Sequence, residues 1–143
     1  MFPKEIFFGF LLLVCGYAWW RGRSEEKIAA TTCLLAVLAT RLLISPLPSR
    51  YADIEFGLLG IDLVVLAAFV AIALQSKRFW PLWAAGFQLT LSISHGLKAV
   101  DLDLLPRAYA AAAVFWSYPI LLAILVGTWR THRSRSDERV IAA

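Results

Sequence analysis

The sequence predicts an all-α membrane protein, a bundle of about five transmembrane helices with the N-terminus outside and the C-terminus in the cytoplasm. Of the 143 residues, 60% are hydrophobic and 17% are charged, whereas soluble domains average about 45–50% and about 25%. The apolar residues gather into five segments, each long enough to cross ~30 Å of hydrocarbon as a helix. Basic residues concentrate between alternate segments, which gives the bundle its predicted orientation.

The five predicted spans cover residues 4–20, 27–45, 56–75, 79–98 and 108–129. Backbone groups in lipid must be satisfied within the spanning segment, and no alternating β-barrel pattern is present, so helices are expected. Charged or proline-containing stretches separate the spans: RGRSEE, PLPSRYADIE, SKR and DLDLLP. Residues 1–129 are therefore predicted to form one transmembrane helical bundle, and residues 130–143 a basic cytoplasmic tail.

The distribution of lysine and arginine sets the predicted orientation. With five spans, the first and third connections and the C-terminal tail share one side, which carries nine basic residues against four on the other. The positive-inside rule places the richer side in the cytoplasm. Trp19, Trp20, Trp80, Trp83 and Trp129 lie next to these basic residues, as in an interfacial aromatic belt. We expect a multi-pass protein of a bacterial cytoplasmic (inner) membrane.

Polar residues inside the spans form the most informative pattern. Arg41, Asp62 and His95 fall at a similar predicted depth, in the outer third of the membrane. A charge within a span costs about 2.5–3.5 kcal/mol on insertion scales and usually faces the bundle interior. Gln88 shares a helical stripe with His95, and Tyr109 lies at a similar height on the fifth span. The sequence predicts one polar cluster of these five residues, with Arg41 opposite Asp62 on the antiparallel neighbouring helix.

The predicted cluster has two main interpretations, and catalysis, with Ser92 or Ser94 as nucleophile and His95 as base, is a third and less favoured one. An Arg–Asp pair between helices can fix their register, and a Gln or Ser side chain can hydrogen-bond a neighbouring helix for about 0.6–2 kcal/mol. Alternatively, the cluster lines a site for a small ligand, a lipid headgroup, a quinone or a proton. We favour the structural interpretation at this point, because no complete reactive motif accompanies the cluster.

The residue types do not assemble into a catalytic or metal site. The patterns G-x-S-x-G, H-E-x-x-H and the P-loop are absent. Haem bound by two histidines of one chain is excluded, because His132 lies in the predicted tail, on the order of 30 Å from His95. Zinc needs three or four ligands, and His95, Asp62 and Asp101 would provide three only in a fortunate geometry. We expect no catalytic residue, no metal and no cofactor.

The predicted function is that of a non-enzymatic accessory or scaffold subunit, which packs in the membrane against itself or a larger membrane complex. The alternative is a small-ligand, lipid or proton site in the outer half of the bundle, used for transport or sensing. Membrane lipids are expected partners. The tail, RTHRSRSDERVIAA, contains Asp137 and Glu138, which argues against nucleic acid. Attraction to anionic lipids, about 1 kcal/mol per basic residue, explains its charge.

Overall fold

The computed structural model is an all-helical bundle. It describes residues 4–44, 51–100 and 106–143, and within these ranges the side chains of residues 4, 44, 51–55, 98–99 and 106–114 lie outside the description. Five helices are present in the described part of the chain: α1 (Lys4–Arg21), α2 (Ser24–Ile44), α3 (Tyr51–Gln75), α4 (Trp80–Val100) and α5 (Pro106–Ala142). Each helix overlaps one predicted span, so the all-α class is confirmed.

The helices form a closed ring in chain order. α2 packs against α1 and α3, α4 packs against α3 and α5, and α5 returns to contact α1. Short connections join α1 to α2 and α3 to α4, which makes these neighbours antiparallel. α5 is longer than its predicted span, because it continues through the basic segment to Ala142. Arginine and glutamate in that segment are good helix formers.

The bundle core combines small side chains with large apolar ones, and many other large apolar side chains are exposed. Ala18, Ala29, Ala30, Ala84 and Ala85 are all buried, as are Leu11, Phe69 and Ile124, and small residues let helix backbones approach closely. The exposed set includes long aliphatic side chains of α1 to α4, among them Leu12, Leu13, Leu35, Leu38, Leu42, Leu63, Val64, Leu74, Leu82, Leu89, Ile93 and Leu97. The outer surface of the ring is therefore strongly apolar.

α3 contains the segment best suited to cross a membrane. Among the described residues, only Phe56–Gln75 is both long enough and apolar enough, with 20 residues and a mean hydropathy of 2.6. Only 11% of this stretch is buried within the bundle, so most of its apolar surface faces outward. The charges of α2 and the tryptophan, glutamine and histidine residues of α4 lower their hydropathy, so composition alone does not establish that these helices cross.

A buried carboxylate joins three parts of the bundle at one end. The side chain of Glu26 is fully buried, and its Oε2 accepts a 2.8 Å hydrogen bond from the backbone N–H of Arg23. Its Oε1 lies 2.8 Å from Nη1 of Arg78 and accepts a 2.8 Å hydrogen bond from the hydroxyl of Thr131. Arg78 also contacts the Thr131 hydroxyl. These bonds connect the α1–α2 turn, the α3–α4 connection and α5.

Replacing Glu26 should destabilise the bundle. Glu26→Ala leaves Arg78 and Thr131 without their common acceptor, and we expect the free energy of unfolding to fall by about 3 kcal/mol, the lower end for a broken buried pair. The lower end applies because 28% of the Arg78 side chain remains exposed. Glu138→Ala, at an exposed position of α5, is the matched control and should change stability by less than about 0.5 kcal/mol. Equal losses in both variants, measured by unfolding in detergent, would contradict the role of Glu26.

Gly127 permits the close approach of α4 and α5. A Cβ atom at this position would lie 2.5 Å from the indole carbons of Trp80, whose side chain is buried. An indole ring is rigid and does not bend away as the end of a flexible side chain does. A methyl group here must therefore displace the whole ring or the helix. The close packing of α4 on α5 therefore depends on the glycine.

The variant Gly127→Ala should lower the thermal stability of the protein. We expect a loss of about 1–3 kcal/mol, the usual penalty for inserting a carbon into a packed contact. Gly86→Ala is the control on α4, where a Cβ atom would meet nothing within 4 Å. That variant should be neutral or stabilising, because alanine has the higher helix propensity. Thermal melts in one detergent give the comparison, and equal stability of Gly127→Ala and Gly86→Ala would contradict the close contact.

Candidate functional site

Two ionisable side chains of the predicted cluster face each other between α3 and α4. Nε2 of His95 lies 3.2 Å from Oδ2 of Asp62, and the two side chains are only 12% and 15% exposed. The short α3–α4 connection makes these helices antiparallel neighbours, which brings residues 33 positions apart in sequence to the same height. The fold thus brings two of the predicted residues, Asp62 and His95, together.

Gln88 holds the carboxyl group of Asp62 from the same side. Its buried side chain donates from Nε2 to Oδ1 and to the backbone carbonyl of Asp62, both at 3.3 Å. Gln88 and His95 are seven residues apart, so both lie on one face of α4. Each therefore contacts the carboxyl group through a different oxygen.

One oxygen of the pair is incompletely satisfied. Within the described part of the chain, Oδ2 of Asp62 and the hydroxyl of Ser92 are buried and receive no well-directed hydrogen bond. Oδ2 has the imidazole of His95 in ion-pair range, but the contact lacks good hydrogen-bond geometry. A buried polar atom without a partner is costly and needs an explanation, such as a functional role or a bound water.

The structure does not bring Arg41 to Asp62, contrary to the sequence expectation. The guanidinium of Arg41 lies over the ring of Phe8 on α1, 4.1 Å from its centroid, and the residue is exposed. The α2 residue that faces α3 at this height is Leu43, whose Cδ2 would lie 3.2 Å from a Cβ atom on Gly57. Two positions along a helix correspond to roughly 200° of rotation, so Arg41 points away from α3. A cation–π contact replaces the expected ion pair.

Tyr109, the fifth predicted member, has a side chain outside the described residues, so its place in the cluster stays a prediction. No group of three or more His, Cys, Asp or Glu side chains that could hold a metal ion occurs in the part of the chain that the structure describes. Of the predicted residues, Gln88 and His95 each contact Asp62. Arg41 does not.

Sequence reasoning missed a groove between α4 and α5. It encloses about 550 Å³, with Trp83, Phe87 and Leu122 among its apolar lining residues and Arg78 and Arg130 at its polar end. Neither Asp62 nor His95 lines it, so the groove and the ionisable pair are separate features. The four-residue spacing of Trp83 and Phe87 was the available signal, because such spacing places both rings on one helix face.

The Glu26 junction was also missed. Its sequence signal is a glutamate at the third position of α2, from which a side chain can reach back to the N–H group that precedes the helix. That local pattern predicts the bond to Arg23. It does not predict Arg78 and Thr131, which come 52 and 105 residues later in the chain.

Comparison with known proteins gives one relative. A stretch of 82 residues, 57% of this chain, is 30% identical to part of the "Uncharacterized transporter YvbV" of Bacillus subtilis (strain 168). The match spans only 27% of the length of that protein. No protein-family model matches the chain, and no solved structure matches it. The similarity to a protein named as a transporter supports a membrane protein.

The geometry predicts which residues are energetically coupled. Asp62→Asn and His95→Gln, made singly and together, should give non-additive losses of stability, with a coupling of about 0.6 kcal/mol or more. Arg41→Gln combined with Asp62→Asn is the matched comparison, and its effects should add within about 0.5 kcal/mol because the two side chains do not touch. Unfolding in detergent measures both cycles. Coupling in the Arg41 cycle but not in the His95 cycle would contradict the observed contacts.

Proposed function

We propose that this chain is an integral membrane protein of proton-linked solute transport, and that Asp62 and His95 form its proton-exchanging pair. The observation that carries the proposal is the position of Asp62. It is an ionisable residue within the most apolar helix, α3, and it faces a second ionisable side chain at 3.2 Å. Ionisable residues within membrane segments are rare and commonly mark ion pathways or proton relays.

The outward distribution of apolar side chains supports the membrane location. A soluble protein exposes apolar patches of only a few hundred Å², whereas this ring carries long aliphatic side chains on the outer faces of α1 to α4. A hydrocarbon environment removes the penalty of such exposure. We infer that all five helices cross the membrane, with the N-terminus outside and the basic C-terminal part of α5 in the cytoplasm of a bacterial cell.

The chemistry of the pair suits proton exchange. An ionised aspartate beside a neutral histidine carries one net negative charge, and adding one proton makes the pair neutral. Because an isolated charge is strongly disfavoured in a low-dielectric interior, loading and unloading that proton changes the energy of the buried site substantially. Gln88 keeps Asp62 in position through its hydrogen bonds to Oδ1 and to the backbone carbonyl. A conformational change that exposes the pair to one side and then the other would couple the proton to a solute.

The transporter name of the Bacillus subtilis relative supports the same class of function. Because the match covers 27% of that protein, it does not supply a solute. The accessory or scaffold role that the sequence favoured remains a prediction that no observation on the chain tests. Activity of the isolated chain separates the two, since a scaffold needs its partner and a transporter does not.

Proton flux in reconstituted vesicles tests the proposal directly. The purified protein is placed in liposomes that contain a pH-sensitive dye, and a pH gradient is imposed across the membrane. We expect wild-type protein to dissipate the gradient faster than empty liposomes even without a solute, because the protonated pair is neutral and a fraction of the conformational changes carries a proton alone. Asp62→Asn, which keeps the size of the side chain and removes the titratable group, should reduce the added rate to the background of empty liposomes.

Control variants distinguish an effect on the proton site from an effect on folding. Ser94→Ala removes a hydroxyl that bonds the carbonyl of Thr90 within α4 and should keep wild-type flux. Gln88→Leu should give an intermediate rate, because the carboxyl group stays titratable but loses the donor to its Oδ1. Infrared difference spectra between acidic and alkaline conditions give a second readout, in which a protonated-carboxyl band should disappear in Asp62→Asn. Wild-type flux and an unchanged band in Asp62→Asn would contradict the proposal.

A further inference from the structure

A small cavity between the end of α1 and the last turns of α5 is surrounded by basic side chains. It encloses about 150 Å³, and its lining consists of Trp20, Arg21, His132, Arg135, Ser136 and Arg139. No carboxylate contributes to this lining. The cavity lies apart from the Asp62–His95 pair and from the α4–α5 groove, since none of its lining residues belongs to either.

The spacing on α5 shows how the basic groups come together. His132, Arg135, Ser136 and Arg139 follow the i, i+3, i+4, i+7 pattern of one helix face. The acids of this segment, Asp137 and Glu138, do not line the cavity, and both are exposed. α1 adds Arg21, whose guanidinium is 4.3 Å from the centroid of the Trp20 ring. The extension of α5 beyond residue 129 is what carries this face to the end of α1.

The arginines of the cavity have no acidic partner in the part of the chain that the structure describes. In the described residues, Arg21, Arg135 and Arg139 form no ion pair with a carboxylate, whereas Arg78 is paired with Glu26 at 2.8 Å. Three like charges around one small space repel each other. An anion between the three arginines would attract each of them and offset their mutual repulsion. Guanidinium groups match the oxygen geometry of phosphate particularly well.

We propose that this cavity binds a phosphate group, which an anionic phospholipid of the adjacent leaflet presents through its headgroup. The volume corresponds to about five water molecules at ~30 Å³ each, which leaves room for one phosphate and not for a large solute. The side chain of Trp20 is 75% exposed and that of Trp129, one turn before His132, is 50% exposed. Tryptophans of this kind border the headgroup region, so the cavity lies where a lipid phosphate is found. This placement rests on the membrane location proposed above, whereas the affinity for phosphate does not.

The test compares two double variants that remove the same charge. Arg135→Gln with Arg139→Gln alters the cavity. Arg130→Gln with Arg133→Gln alters the same helix elsewhere, because neither residue lines the cavity. Each lowers the net charge of +4 by two, so unspecific attraction to anionic lipids falls equally in both. Helical content and thermal stability in detergent confirm that each variant folds.

Binding is measured with two probes. The first is lipid co-purification and native mass spectrometry from nanodiscs that contain equal amounts of phosphatidylglycerol and phosphatidylcholine. The second is titration of the detergent-solubilised protein with inorganic phosphate. We expect wild-type protein and the Arg130/Arg133 variant to retain phosphatidylglycerol selectively. The Arg135/Arg139 variant should bind it at least about tenfold more weakly, as the loss of charge-assisted hydrogen bonds requires.

Each outcome decides the proposal. Selective retention of phosphatidylglycerol that depends on Arg135 and Arg139 supports a phospholipid as the source of the phosphate. Saturable binding of inorganic phosphate with the same dependence, but without lipid selectivity, supports the phosphate site with a soluble source. The absence of both, or equal losses in the two double variants, overturns the proposal. Phosphate binding in detergent together with a chain that fails to insert into membranes would leave the site intact and contradict the proposed function alone.

Discussion

The structure depends on close helix packing, in which small residues let the backbones approach each other inside a ring whose outer surface is apolar. Buried alanines at the contacts of α1, α2 and α4, and Gly127 against Trp80, bring the helix axes together. Many other long aliphatic side chains lie on the outside, where water would oppose folding and hydrocarbon would not. Without the hydrophobic effect to drive helix association in lipid, packing and interhelical hydrogen bonds hold such bundles together.

Two buried carboxylates in this bundle have different surroundings, which indicates different roles. Both oxygens of Glu26 are engaged, by the N–H of Arg23, the Arg78 guanidinium and the Thr131 hydroxyl. Such a fully satisfied group fixes geometry. Asp62 is held through one oxygen by Gln88, while Oδ2 faces His95 without a well-directed hydrogen bond. About 20 Å of helix separates the two sites along α3, so the proton exchange that we propose at Asp62 would not disturb the junction at Glu26.

The sequence was sufficient for those parts of the site that depend on helix period and depth. Asp62, Gln88 and His95 were predicted together because Asp62 and His95 fall at a similar depth in the predicted spans, and Gln88 shares a helical stripe with His95. The prediction for Arg41 was wrong because it did not take into account the rotation of the residue about the helix axis. Depth alone placed it opposite Asp62, but the packing of Leu43 on Gly57 turns it toward Phe8. Glu26 could be predicted only as a local helix cap, since its other partners come from distant parts of the chain. The cavity between α1 and α5 was not predicted, because it depends on how far α5 extends beyond its apolar segment. Hydropathy does not give that length.

The measurement that tests the membrane account most directly is labelling of single cysteines from outside intact cells. Cys15 and Cys33 are replaced by alanine, and a cysteine is introduced at Ser49, Lys77 or Asp137. A membrane-impermeant maleimide should label the cysteine at position 49 in intact cells, and those at 77 and 137 only after lysis. Labelling of positions 49 and 77 from the same side would show that α3 does not cross, and would contradict a proton site within a membrane-spanning bundle.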